Sequence, residues 1–284
     1  MLSMRGVQQR YVSNELTHFV GAGLANSSAD LSAVLEDQYN LLIKIIGDRR
    51  ISYPPHDQED DIPEGLEYDP GCSYTFYGRF DASSNDLISP DIVCFCDIPI
   101  GDLGIHIQKY SPFGLSFLKS FLIKRGANPV FYVARSSEIH GTTRAEYFDK
   151  NIKIYLKTCA NANLETPSGN DCHSINGFFS HLLCYLKFFD PEKADDDKDN
   201  FYMEREWRSQ SNINFKIKDI ERIIIPKSFA QKFRYDVPDY LGQLTFSDDH
   251  ISKLPLRDAK SPTAVCTPGK PLSAPLGQCG HRYR

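Results

Sequence analysis

The chain has 284 residues, of which 41% are apolar and 12% aromatic, and it carries a net charge of −5. That length and composition accommodate one sizeable core, and the acidic balance excludes the global basic field on which sequence-independent nucleic-acid binding depends. No stretch approaches the roughly twenty apolar residues that cross a bilayer, and Met1 to Arg10 lacks the apolar centre of a secretion signal, so a cytoplasmic protein is expected.

The first unit spans Tyr11 to Gly23 and holds Glu15-Leu16-Thr17-His18-Phe19-Val20-Gly21, a strand or turn. Leu31, Val34, Leu35, Leu41, Leu42, Ile45 and Ile46 then recur at helical spacing, and Gly47 is placed to end that helix. Ser52 to Asp69 is rich in proline and acid and reads as an exposed loop. Tyr74-Thr75-Phe76-Tyr77 reads as an aromatic strand.

Asp91 to Asp97, bounded by Pro90 and Pro99, predicts a buried strand. A helical or irregular piece follows through Lys109-Tyr110, then a strand over Phe113 to Phe117, a helix from Leu118 to Arg125 and a strand over Pro129 to Ala134. Neither a Rossmann glycine fingerprint nor a GxxxxGK loop accompanies them, which argues against the nucleotide-loop folds. The eight cysteines form no paired CxxC motifs and are expected to be mostly buried, reduced thiols, with no metal centre.

Thr143 to Thr158 predicts a helix, Ile175 to Phe189 a core helix, and Asp190 to Asn200 a charged loop. Ile220 to Ile225 predicts a further buried strand, followed by a helix starting near Pro226-Lys227. Beyond Leu256 proline, serine, glycine and basic residues dominate. The expectation is therefore one α+β domain over 10–255, built on a central strand cluster, and a disordered tail over 256–284.

The segment Tyr202-Met203-Glu204-Arg205-Glu206-Trp207-Arg208 carries the clearest chemical signal. Read as a strand, it places Tyr202, Glu204, Glu206 and Arg208 on one face and Phe201, Met203, Arg205 and Trp207 on the other. Paired carboxylates on one face suit proton handling or the stabilisation of a developing cation. Arg208 simply neutralising Glu206 is the plainer alternative. Asp97, at a strand end before Ile98-Pro99, reads as a turn or capping residue.

Leu16-Thr17-His18-Phe19-Val20-Gly21, Val93-Cys94-Phe95-Cys96-Asp97-Ile98-Pro99, Tyr110-Ser111-Pro112-Phe113-Gly114-Leu115-Ser116-Phe117, Gly126-Ala127-Asn128-Pro129-Val130 and Glu204-Arg205-Glu206-Trp207-Arg208 together resemble the AbiGi family of bacterial abortive-infection proteins. That resemblance implies phage resistance and the antitoxin side of a two-component system, with a cognate toxin or other defence protein as partner. A looser resemblance runs to ADP-ribosyltransferase-like proteins of the DarT type. It implies NAD as cofactor, with His18 and Phe19 at the nicotinamide ribose and Tyr110 stacked on the ring. Glu206 would be the catalytic carboxylate, Glu204 would orient the acceptor, and nucleic acid or protein would be modified. Val20 stands where such toxins carry threonine or serine.

Three readings follow. The first is a transferase using His18 and Glu206, and the second is a catalytically silent module that binds a partner. The third is a metal-dependent nuclease built on Asp97, Glu204 and Glu206.

Overall fold

The computed structural model describes residues 13–25, 30–52, 74–76, 81–85, 88–90, 92–161, 181–194, 197, 200–210 and 212–251. The acidic loop after Ser52 and the expected tail over 256–284 lie outside these residues. In chain order the strands are β1 Glu15–Phe19, β2 Arg50–Ile51, β3 Tyr74–Phe76, β4 Ile88–Pro90, β5 Val93–Cys96, β6 Gly114–Leu118, β7 Asn128–Pro129, β8 Phe131–Ala134, β9 Glu138–Ile139, β10 Thr142–Thr143, β11 Leu186–Phe189, β12 Glu206–Ser209, β13 Ile213–Asn214, β14 Ile220–Ile225 and β15 Gln243–Phe246. The helices used below are α1 Leu31–Asp48, α2 Gly104–Lys109, α3 Lys119–Ile123, α4 Arg144–Asn161, α5 Ala230–Asp236 and α6 Asp248–Ile251. This is a mixed α+β fold.

A seven-stranded sheet in the order β15-β14-β6-β1-β5-β12-β7 organises the chain. Every neighbouring pair is antiparallel except β14 with β15, which run parallel. Period-two alternation divides its side chains. Leu16, Val93, Phe95, Leu115, Phe117, Ile223 and Trp207 turn to one face, where Tyr39, Leu42, Ile45 and Ile46 of α1 complete the main core. Phe19, Cys96 and Ile224 turn to the other and pack on Leu103, just before α2, and on Ile107 of α2.

Helix α1 forms where the apolar spacing predicts it. The Asp30 carboxylate accepts from Ser32 N–H at 2.9 Å, supplying the N-cap. The helix continues through Gly47 to Asp48 and ends on Arg49, whose φ of 57° is the left-handed turn expected of glycine.

A smaller unit flanks the sheet. Strands β8 and β11 pair in parallel, and Val133, Phe188, Ile152 of α4 and Ala82 form their core. The Asn85 side chain extends this pairing, since its carbonyl accepts from Phe188 N–H at 2.8 Å and its amide donates to the Phe188 carbonyl at 3.0 Å. Two sequence expectations are corrected here. The expected core helix over Ile175 to Phe189 is helical at 181–184 but a strand at Leu186–Phe189, because a short apolar run with two phenylalanines fits either period. The strand expected over Pro129 to Ala134 divides at Val130, whose N–H donates to the Glu206 carbonyl, so β7 joins the large sheet and β8 the small one.

Gly21 closes the turn between β1 and α1 at φ 78°, and a Cβ there would stand 2.8 Å from Gln38 Cγ. The Gln38 side chain donates to the Gly21 carbonyl at 2.9 Å, so it cannot yield without losing that bond. Gly21→Ala is expected to lower unfolding free energy by about 1–2 kcal/mol in urea titration, with the denaturant slope unchanged.

Candidate functional site

The Glu-x-Glu segment is built from two local structures instead of one strand. The Asn200 side chain accepts from Tyr202 N–H and caps a 3-10 turn over Phe201–Glu204. Arg205, at φ 44°, then reverses the backbone into the left-handed region, and β12 starts at Glu206. Glu204 therefore reaches the site from a turn and Glu206 from a strand.

Both carboxylates are buried, at 5% and 6% exposure, and the Lys187 ammonium of β11 joins them. Its Nζ lies 2.6 Å from Glu204 Oε2 and 2.8 Å from Glu206 Oε2. Lys109 of α2 donates to Glu204 Oε1 at 2.6 Å, and the Tyr110 hydroxyl donates to the same oxygen. Arg208 grips Glu206 with Nε to Oε1 at 2.8 Å and Nη2 to Oε2 at 3.1 Å, while its Nη1 donates to the Cys184 carbonyl at 2.5 Å. The Glu206 N–H donates to the Tyr132 hydroxyl at 2.7 Å. Two anions and three cations thus interlock, and each carboxylate oxygen has at least one donor.

The Phe201 ring, expected to face away from the carboxylates, lies under both lysines, with the ammonium of Lys187 4.6 Å and that of Lys109 5.3 Å from its centroid. Trp207 does face away and packs on the main core. Exposed Tyr202 stacks on Phe189 with centroids 4.8 Å apart.

Electrostatics follow the geometry. Burial works to raise the Glu206 carboxyl, but Arg208 and then Lys187 outweigh it and bring it from 4.5 to about 2. Lys187 and Arg208 are raised: burial opposes this, and the carboxylates overcome it. Dense surrounding protein, then Glu206, pushes the Cys94 thiol well above its ordinary value, although Cys94 is exposed on the sheet surface. The raised thiol stays protonated near neutral pH and is a thiol, not a thiolate nucleophile. The expectation of buried thiols holds for Cys96 and Cys184 and fails for Cys94.

His106 is buried, at 3% exposure. It lies against Phe19 and Tyr110, with centroids at 6.3 and 6.1 Å. Burial lowers it from 6.5 to about 4, against the pull of Glu204.

The register separates the expected NAD residues. Thr17 and Glu206 both pair with Cys96, so all three share the α2 face. Phe19 shares that face and stacks on Tyr110 at 6.0 Å. His18 follows Thr17 in the strand and points to the opposite face, pairing with Leu115 and lying 5.8 Å from the Phe95 ring. Its Nδ1–H donates to the Cys94 carbonyl at 2.9 Å. Phe19, Tyr110, Glu204 and Glu206 are thus brought together and His18 is not. The sheet stands between His18 and Glu206, so the pair does not fit a single nicotinamide ribose.

Asp97, expected to be a turn or capping residue, instead ties distant segments together. Lys119 lies 2.7 Å from its Oδ2, Arg205 approaches to 3.5 Å, and its Oδ1 accepts from Ser13 N–H at 3.3 Å. Among the described residues, no group of three His, Cys, Asp or Glu side chains is arranged to hold a metal ion.

The sequence reading did not single out Lys187, Lys109, Tyr132 or His106. Lys187 did leave a trace, as one charge inside the apolar run Leu182 to Phe189, the pattern of a buried and partnered ion.

A family model described as "Putative abortive phage resistance protein AbiGi, antitoxin" matches residues 83–253, more than half of the chain. The chain belongs to the AbiGi family. The match contains Cys94, Tyr110, Lys187, Glu204, Glu206 and Arg208, whereas His18 precedes it. The AbiGi assignment gives an abortive-infection, antitoxin role in phage defence. No curated protein and no solved structure matches the chain. Among the described residues, no helix of this AbiGi protein is long and apolar enough to cross a membrane.

Two acid limbs of stability are expected. His106 binds a proton more readily when unfolded, so its contribution is complete above pH 6.5 and is lost as pH falls toward about 4. Glu206, lowered in the folded state, contributes above pH 4.5 and loses that contribution as pH falls toward about 2. Denaturation at stepped pH checks this, with His106→Gln flattening the upper limb and Glu206→Gln the lower. Lys187→Met leaves buried anions short of a cation and is expected to cost about 3–5 kcal/mol, read by the same titration.

Proposed function

We propose that this AbiGi protein is a catalytically silent antitoxin that works by binding its cognate toxin, and that the Glu204/Glu206 cluster is the rigid scaffold of that binding module. The observation that carries this reading is the engagement of Glu206. Arg208 bridges both its oxygens, Lys187 adds a third contact, and His18 lies behind the sheet. A carboxylate that stabilises an oxocarbenium-like state needs an open approach and charge in excess of what its neighbours already neutralise. Here three cations surround two anions.

The reading also accounts for the residue types. A buried salt bridge is a weak source of net stability, but it penalises every arrangement in which its partners part. That property suits a surface that must hold one shape for a protein partner.

Purified protein incubated with NAD, with and without the cognate toxin, is expected to release nicotinamide at the rate of the protein-free control. Co-expression with the toxin is expected to restore growth, and Glu206→Gln to weaken that rescue only in proportion to the folded protein lost. NAD consumption that disappears in Glu206→Gln while circular dichroism and melting stay at wild-type values would replace this reading with the transferase.

A further inference from the structure

Helix α4 buries one face in the smaller unit, where Phe148 and Ile152 pack with Val133 and Phe188. Its opposite face carries a seven-residue repeat, a step that brings a helix back to nearly the same side. Tyr147 recurs as Ile154, Lys150 as Lys157 and Asn151 as Thr158. The apolar pair is exposed, Tyr147 at 39% and Ile154 at 53%. On one flank of that pair the Asn151 amide donates to the Tyr147 carbonyl at 2.7 Å and the Thr158 hydroxyl to the Ile154 carbonyl at 2.9 Å, which draws both polar side chains back onto their own helix. On the other flank stand Lys150 and Lys157, both exposed.

The charges that could neutralise this flank from within α4 are engaged elsewhere. The Glu146 carboxylate accepts from the Thr142 hydroxyl at 2.7 Å and from Thr143 N–H at 3.0 Å. Asp149 accepts from Ser83 N–H at 2.9 Å and from its hydroxyl at 2.7 Å, and Lys153 pairs with Asp81. A chain of net charge −5 thus presents a local positive flank beside an apolar seam.

Such a seam takes an amphipathic helix. Apolar side chains of the incoming helix cover Tyr147 and Ile154, and acids on its adjoining flank meet the lysines, as at the core and flanking positions of a coiled coil. A second α4 does not supply this. About a two-fold axis an antiparallel pair sets lysine against lysine, and a parallel pair sets lysine against Asn151 and Thr158 with no acid offered. The charge pattern selects a different, acidic segment.

We infer that this face of α4 is where the cognate toxin docks, through an amphipathic helix whose carboxylates pair with Lys150 and Lys157. The inference rests on the antitoxin reading and adds to it a surface and a partner chemistry. It also gives the buried cluster a task, because α4 packs in the unit that Lys187 ties to the large sheet, so the cluster holds the docking face in place.

Titration of the purified chain with the cognate toxin in a calorimeter tests this. Ile154→Asp, and Lys150→Glu combined with Lys157→Glu, are each expected to raise the dissociation constant about tenfold or more. Added salt is expected to weaken the wild-type complex more than that of the double charge reversal. Carbodiimide coupling is expected to join Lys150 or Lys157 to an Asp or Glu of the toxin. All three positions are exposed, and melting curves check that the fold is kept. Wild-type affinity in both variants overturns the inference and leaves the antitoxin reading standing, whereas a wild-type chain that does not bind the toxin overturns both. Coupling of these lysines to a second copy of the chain instead of to the toxin also overturns the inference.

Discussion

The Lys187 ammonium is the contact on which the rest of this structure turns. It leaves the small β8–β11 unit and ends between Glu204 and Glu206, which belong to the turn and strand of the large sheet. With Tyr132 accepting from the Glu206 backbone, it ties two separately packed cores into one arrangement. Apolar contact between the units would tolerate sliding. An ion held at 2.6 and 2.8 Å by two buried carboxylates does not, since any slip strands charge in a poor dielectric.

From that constraint the neighbouring features follow. Two carboxylates this close need more than one cation, and Lys109 and Arg208 complete the set from α2 and β12. Lysines brought to a common point need a surface that accepts their stems, which the Phe201 ring provides. The 3-10 turn and the left-handed Arg205 reflect the same requirement, because a continuous strand would hold Glu204 and Glu206 in line and could not wrap one of them toward α2.

The parts of the fold legible in the sequence are those with a repeated pattern. Helix α1, strands β5, β6 and β14, and the helix after Pro226 each carry a periodicity that depends on their own residues alone. The site was legible in composition but not in geometry. Phe19, Tyr110, Glu204 and Glu206 lie close to one another, whereas the side of the sheet that His18 occupies is set by the pairing of Thr17 with Cys96, a long-range register that no local pattern encodes. Lys187 was hidden for a different reason. Its segment is short and apolar, so strand and helix were equally consistent with it, and only the strand turns its ammonium toward the large sheet.

A network of this kind differs from a catalytic dyad in where its free energy is placed. A catalytic carboxylate keeps part of its charge uncompensated in the ground state so that the transition state can use it. Glu206 is held at about 2 by Arg208 and Lys187 against the opposing effect of burial, so its charge is already committed before any ligand arrives. Cys94, raised well above its ordinary range beside it, and His106, held neutral by burial, are likewise poor proton carriers near neutral pH. The same surroundings fix the relative positions of α2, β11 and β12. On the proposed reading, in which one surface is presented to one partner, a fixed geometry is the more useful property.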